Sequence, residues 1–265
     1  MPEGPEVLLT TEYLNAKLSN QIVSKWVFTG GQYEDKDPDG FQEFYDALPL
    51  LVEEVSCKGK LIHFTFFNEF RTFYVLHSLR MTGRWQNHED EYCKWYLEFD
   101  NGDRVWFRNP RCLATLQFTT DRRIYEGLLN KLGPDILTPE FTLDTWRRLI
   151  SKHKNKNITS FLMNQNIISG CGNYIKAEVL YYAEISPLRK VGSITKGESE
   201  KLYEGLRIVS RVSYNHKGLS LKDYANENGK KGYYEHKLRI YGKRSAMRTK
   251  TADGRTTYWD PDKQK

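Results

Sequence analysis

The residues with the sharpest chemistry stand at the start of the chain. Removal of Met1, which a small second residue permits, leaves Pro2 as a secondary amine heading the restrained segment Pro2-Glu3-Gly4-Pro5-Glu6. An α-amino group ordinarily titrates at about 7.7 to 8.0, against about 10.4 for a lysine, so a useful fraction is neutral and nucleophilic near neutral pH. Attack by such an amine on a sugar C1′ gives an iminium, whose positive charge acts as an electron sink. Loss of a proton from C2′ and elimination of a phosphate then become feasible. Glu3 and Glu6 place carboxyls beside the amine, and one of raised pKa could protonate a departing group or the opening sugar oxygen. On spacing alone, the plainer role of starting a helix is favoured for the same residues.

The elements that must position these groups follow from periodicity. Pro5 suits the first position of a helix, where its missing N–H costs nothing, and Val7, Leu8, Thr11, Leu14 and Leu18 recur near the helical period, which predicts a helix over 5–18. From Val23 to Phe118 the chain reads as strands, with Leu61 to Phe67 and Thr72 to Leu76 rich in aromatic and branched residues. Lys94 to Asp100 should return as Arg104 to Arg108 in a hairpin, Asn101-Gly102 supplying the two positive-φ positions of a type I′ turn. Gly133-Pro134 and Pro139 then place a domain boundary near 130–142. Beyond it a short helix is predicted from Ile158 to Asn164, a sharp turn at Ser169-Gly170-Cys171-Gly172-Asn173, and a second helix through Ile175, Val179, Leu180 and Ala183. Such a turn can bring a helix N-terminus to the surface, a geometry able to hold a phosphate. Asp253-Gly254, between Arg248 to Lys250 and Arg255 to Trp259, signals a final hairpin dressed with cations.

Composition bounds the function. At roughly 150 residues per domain, 265 residues make two units likelier than one, and 39% hydrophobic content supports a real core. No apolar run is long enough to span a membrane, and the N-terminus lacks the basic and apolar regions of a signal peptide, so an intracellular protein is expected. Cys57, Cys93, Cys112 and Cys171 are scattered, and the six histidines hold no i, i+4 pair, so neither a disulfide framework nor a metal site is expected. Residues 1–150 carry 17 Lys and Arg against 23 Asp and Glu, whereas 151–265 carry 23 against 11. A first half of −6 and a second half of +12 point to a polyanion held by the C-terminal half, and nucleic acid is the commonest one in cells.

Pro2-Glu3-Gly4-Pro5-Glu6-Val7 resembles the opening of the formamidopyrimidine-DNA glycosylase and endonuclease VIII family, and the Gly4 version is closer to the endonuclease VIII branch. Lys58-Gly59-Lys60-Leu61-Ile62 resembles a family strand bearing a functional lysine, here Lys60. Met81-Thr82-Gly83 and Asn109-Pro110-Arg111-Cys112-Leu113 resemble loops that fill the gap left by an extruded base. Lys131-Leu132-Gly133-Pro134-Asp135 is similar to the family's linker. Phe161-Leu162-Met163-Asn164-Gln165 followed by Gly170-Cys171-Gly172-Asn173-Tyr174 and Glu178 is similar to its helix-two-turns-helix core. Met247 to Lys250 and Gly254 to Tyr258, without a cysteine, resemble the zincless finger of endonuclease VIII-like enzymes, where packing by Tyr258 and Trp259 replaces a metal. The resemblance spans nearly the whole chain.

It implies an α+β fold of two domains: an N-terminal β-sandwich with a leading helix over 1–130, a linker over 131–146, a helix-two-turns-helix domain over 147–232 with a loop that closes over the lesion, and a finger hairpin over 233–265. It also implies a monomeric DNA glycosylase and abasic-site lyase, free of cofactor and metal, that acts on double-stranded DNA containing oxidised bases or abasic sites. Pro2 would be the Schiff-base nucleophile, Glu3 the general acid, Lys60 a further catalytic group and Glu6 a substrate contact. Asn173 and Arg255 would grip phosphates, while Met81, Arg111 and Leu113 would fill the void. Leu113 stands where the family has an aromatic, and stacking on a base is worth about 1–3 kcal/mol, so opposite-base preference should weaken. Ser78 stands where the family has a histidine, and no phosphate contact is carried over to His77. The expected substrates are oxidised pyrimidines with ring-opened or hydantoin purines, removed with β,δ-elimination. Rival readings are an 8-oxoguanine-preferring formamidopyrimidine-DNA glycosylase and a non-catalytic relative that only binds damaged DNA. The segment from His216 to Tyr233, with Ser220, Lys222 and Tyr224, is expected to form the closing loop.

Overall fold

In the computed structural model, which describes residues 2–219, 230 and 232–265, the leading helix α1 spans Gly4–Leu18. Its Val7, Leu14 and Leu18 are buried in an apolar cluster with the strands that follow. Asn20, at φ 63, turns the chain out of the helix. The first of two compact units is built mainly from Glu6–Asn130 and the second from Lys131–Gly218 and Tyr233–Lys265, with Glu3–Pro5 counted in the second.

In the first unit the strands are β1 (Ile22–Phe28), β2 (Leu50–Lys58), β3 (Leu61–Phe67), β4 (Thr72–Ser78), β5 (Arg84–Gln86), β6 (Cys93–Phe99), β7 (Arg104–Arg108) and β8 (Thr115–Thr119). They form one antiparallel sheet in the order β5-β7-β6-β1-β2-β3-β4-β8. The sheet doubles over, because rings from its two halves meet. Trp85 of β5 lies 6.2 Å from Phe64 of β3, and His77 of β4 lies 4.7 Å from Phe107 of β7. Trp26 sits at the centre, packed edge-on against Phe44, Phe64 and Phe118. Phe44 comes from a short helix, α2 (Phe41–Asp46), which the sequence reading does not contain. This is the predicted β-sandwich behind a leading helix.

Two turns differ from expectation. In the β6–β7 hairpin only Gly102 has positive φ, at 85°, and Gly102 N–H donates to Phe99 O at 3.0 Å. The loop is therefore a type I turn closed by a left-handed glycine, the three-residue pattern, and not a type I′ turn. Lys60 is not within a strand. Lys58 pairs with Leu61, so Gly59-Lys60 is a two-residue hairpin loop made possible by Gly59 at φ 61.

The second unit holds α4 (Leu143–Lys152), α5 (Ile158–Met163), α6 (Asn173–Tyr182) and α7 (Lys196–Asn215), preceded at the end of the first unit by α3 (Arg122–Lys131). The turns between α5 and α6 are stapled by Gln165, whose amide donates to Cys171 O at 2.9 Å and accepts from Gly170 N–H at 3.1 Å. Strands β9 (Met247–Lys250) and β10 (Thr256–Trp259) form the finger. Trp259 is buried and donates to Thr249 Oγ1 at 2.9 Å, and the Tyr258 ring lies 5.1 Å from Tyr241, so packing supports this hairpin as expected. Among the described residues no helix is long and apolar enough to cross a membrane, and no group of three His, Cys, Asp or Glu is placed to hold a metal.

Candidate active site

Asn157 caps α5, but α6 has no such help from its own start, because its cap position is Gly172, which has no side chain. Glu3 supplies what is missing. Its carboxylate accepts Tyr174 N–H at 2.9 Å and Ile175 N–H at 3.3 Å, satisfying two of the free donors in the first turn. A negative group is favoured at that end of a helix. Glu3 is 2% exposed, and Gly4 N–H donates to Gly170 O at 2.8 Å, which fastens the N-terminal segment to the two-turn loop. The phosphate cradle expected from the glycine turn is thus not vacant: the donors of Tyr174 and Ile175 already serve Glu3. Pro2 is buried and precedes this carboxylate by one residue.

Asn173 is the first helical residue rather than the cap. Its amide donates to Thr256 O at 3.2 Å, and its Oδ1 is buried without a hydrogen-bond partner. The Tyr241 phenol is near the same amide; burial pushes the phenol's pKa up, and Asn173 partly opposes that. Arg255, next to Thr256, is exposed at the end of the β9–β10 loop. The structure therefore gathers Glu3, Asn173 and the Arg255 loop around the start of α6.

Two further groups here make contacts that the sequence reading does not contain, although it names Glu178 and Asp253 in its motifs. Lys176 and Asp253 form an ion pair at 2.6 Å with side chains 0% and 3% exposed. Glu178 accepts backbone N–H groups from Arg239, Ile240 and Tyr241 at 2.8, 2.9 and 2.7 Å, fixing the stretch that delivers Tyr241. Both link positions more than 60 residues apart, so no local motif announces them.

The remaining predicted residues belong to the first unit. Met81 and Arg111 meet, with Arg111 Nη1 3.5 Å from Met81 Sδ. Their loops are bent by Arg80 at φ 54 and Cys112 at φ 49, and Leu113 projects beside them, 44% exposed. Lys60 is half-buried in its hairpin loop. Glu6 is buried and accepts Leu219 N–H at 2.9 Å, so this carboxylate holds backbone. Of the expected closing loop, Ser220, Lys222 and Tyr224 lie outside the described residues.

The chain is similar to known proteins along most of its length. A family model described as the formamidopyrimidine-DNA glycosylase N-terminal domain matches residues 1–116, and one described as the formamidopyrimidine-DNA glycosylase H2TH domain matches 132–224. A formamidopyrimidine-DNA glycosylase of Desulfitobacterium hafniense is 29% identical over 254 residues, covering 92% of this chain and 89% of that protein. One from Marinobacter nauticus is 28% identical over 251 residues, covering 93% and 90%. The crystal structure of MutM (Fpg) from Thermus thermophilus superposes with a TM-score of 0.85 at 25% identity, covering 99% of this chain and 98% of that one. Lactococcus lactis Fpg in complex with DNA containing an abasic site gives a TM-score of 0.85 at 22% identity, covering 99% of both chains, a likeness of fold.

Proposed function

Since the chain belongs to the formamidopyrimidine-DNA glycosylase family, we propose that it excises ring-opened purines from double-stranded DNA and cleaves the strand at the abasic site it creates. It is a DNA glycosylase of base excision repair with lyase activity, as members of this family are, and it acts at DNA inside the cell. The observation that carries the proposed mechanism is the seat of Glu3, whose carboxylate is held at the start of α6 one residue from Pro2.

In this reading the neutral amine of Pro2 bonds to C1′ while the bond from C1′ to the base breaks and the base leaves with a proton. The C1′–O4′ bond then opens, O4′ takes a proton, and an iminium remains on Pro2. Loss of a C2′ proton expels the 3′ phosphate, a second elimination expels the 5′ phosphate, and water releases the sugar remnant and returns the amine. Glu3 suits both directions of proton traffic: as a carboxylate it takes the proton from the Pro2 ammonium, and as an acid it delivers one to the base or to O4′. Asn173, Arg255 and Lys60 would hold backbone phosphates, which position the duplex without reading sequence. Met81, Arg111 and Leu113 would fill the space of the flipped nucleotide, whose extrusion costs a few kcal/mol.

The relatives' name supports a purine lesion as the main substrate and weakens the preference for oxidised pyrimidines expected from the endonuclease VIII-like features. Gly4, the cysteine-free finger and the aliphatic Leu113 favour a second reading in which thymine glycol and hydantoins are also removed. Single-lesion duplexes separate the two. Excision of formamidopyrimidine and 8-oxoguanine with little action on thymine glycol supports the first, and the reverse order supports the second. Borohydride reduction with abasic-site DNA should trap a covalent adduct at Pro2. No adduct, or one whose linkage maps to a residue other than the N-terminal one, removes the nucleophile and with it the lyase mechanism.

A further inference from the structure

The pair Lys176–Asp253 is an unusual expense for a small hairpin. Both side chains are essentially sealed from water, and two charges in that condition need a reason beyond stability, since well-packed apolar residues generally do as well or better. Its placement supplies one. Asn173 and Lys176 are three residues apart on α6, hence neighbours on one face of the helix. Asn173 Nδ2 donates to Thr256 O at 3.2 Å and Lys176 Nζ to Asp253 Oδ2 at 2.6 Å. The two points of attachment lie on either side of Arg255.

The loop between them is itself determined. Gly254 N–H donates to Thr251 O at 2.8 Å, Thr251 N–H donates to Arg255 O at 3.0 Å, and Gly254 adopts φ 76. Thr251 Oγ1 donates to Asp253 Oδ1 at 2.5 Å, so the carboxylate that receives Lys176 is also tied to the loop's first residue. Asp253 cannot turn without breaking one of these bonds. Burial lowers the pKa of Lys176, with Asp253 opposing that, and the field of Glu3 also favours the ammonium. The cation is thus placed between the seat of the candidate acid and the loop that carries the candidate phosphate grip.

We propose that Lys176 and Asp253 are positioning residues: their ion pair sets the register of the β9–β10 loop on α6 and so aims Arg255 at a DNA phosphate, the orienting task that a bound metal would perform in a finger built around one. This rests on the reading of Arg255 as a phosphate contact. An apolar pair can replace the packing but not the direction, because it lacks the single hydrogen-bonded geometry.

The test is a double-mutant cycle on binding to a duplex bearing a tetrahydrofuran abasic analogue, with Arg255→Ala as one arm and Lys176→Met/Asp253→Leu as the other. In the otherwise unaltered protein, Arg255→Ala should weaken binding about 10-fold and lower the slope of log K against log salt by about 1. In the Met/Leu background the same substitution should change binding less than about 2-fold, with no change in slope, while the thermal midpoint stays near that of the parent. A loss confined to folding would reduce the active fraction and leave the effect of Arg255 intact, so an undiminished 10-fold effect in the Met/Leu background overturns the proposal. Should the Met/Leu protein fail to fold, Asp253→Asn takes its place in the same cycle and is judged by the same criterion. If Arg255→Ala has no effect in the parent, the reading of Arg255 falls first, and the ion pair is left as a purely structural contact.

Discussion

Gly172→Ala tests the seat of Glu3 without altering the carboxylate's chemistry. The backbone at 172 has φ −133, which alanine accepts, so no strain comes from the main chain. A Cβ there would lie no farther than 2.5 Å from Cδ, Oε1 and Oε2 of Glu3, whereas ordinary contact begins at 3.4 Å. The carboxylate must retreat by about 1 Å, because a close-packed interior offers it no other relief. That movement weakens the bonds from Tyr174 and Ile175, each worth about 1.5–3 kcal/mol to a charged acceptor at most. A displacement of this size costs about 100-fold in rate when the moved group takes part in the chemistry. The assay is single-turnover cleavage of an abasic-site duplex, run beside a binding measurement on the tetrahydrofuran duplex and a thermal melt. Cleavage should fall about 100-fold while binding changes less than about 5-fold. Gly127→Ala, in α3 with nothing within 4 Å of the added carbon, is the control and should leave cleavage unchanged. Cleavage by Gly172→Ala within about 3-fold of the parent would refute a role for the placement of Glu3.

Acid should weaken the first unit through its buried His77 and half-buried His63. Burial holds His63 and His77 at about 4, against 6.5 for a free imidazole, so below pH 6.5 the unfolded chain takes up protons that the folded one refuses. Stability should therefore be flat above pH 6.5 and fall between 6.5 and 4, by at most about 3 kcal/mol per histidine; urea melts of His77→Phe should show roughly half the slope, and an unchanged slope would contradict this. Glu198, hydrogen-bonded by Arg189 at the start of α7, is lowered to about 2 from 4.5, so its contribution is present above pH 4.5 and is lost as pH falls toward 2. Glu198→Gln should cost about 2 kcal/mol at neutral pH and flatten the acid limb of the melting curve over that window. Leu113→Phe should tighten binding to the abasic-analogue duplex by about 5- to 10-fold and sharpen the dependence on the opposite base; equal binding to all four opposite bases would argue against Leu113 as the stacking wedge.

What could be seen in advance was what local chemistry dictates. The helix predicted over 5–18 is Gly4–Leu18, and the hairpin strands predicted at 94–100 and 104–108 are Cys93–Phe99 and Arg104–Arg108, because periodicity and a glycine at the turn are written in adjacent residues. The turn type was not legible, since Asn101-Gly102 serves a two-residue or a three-residue loop, and the pairing of Phe99 with Asp103 decides between them. Helix α3 had cues in Asp121, whose carboxylate accepts Arg123 N–H at 2.8 Å, and in the i, i+4 pairs Ile124/Leu128 and Tyr125/Leu129, but none of its residues is fully buried and the domain-boundary signals just beyond it drew the reading. Pro2 and Glu3 stood out by residue type, and Asn173 by the resemblance of the turn that contains it. The contacts that give them geometry, Glu3 on Tyr174 and Lys176 on Asp253, join distant stretches and exist only once the chain has folded.

The cap that Glu3 places on α6 spans 171 positions of sequence. A fragment containing only the β-sandwich would keep Pro2 and its amine, but its glutamate would have no helix end to occupy. Ribosomes release the proposed nucleophile first and the helix end that seats its proposed acid partner much later. On the proposed roles of Pro2 and Glu3, an incomplete chain holds the amine without the seated carboxylate, and completion of the second unit supplies that seat.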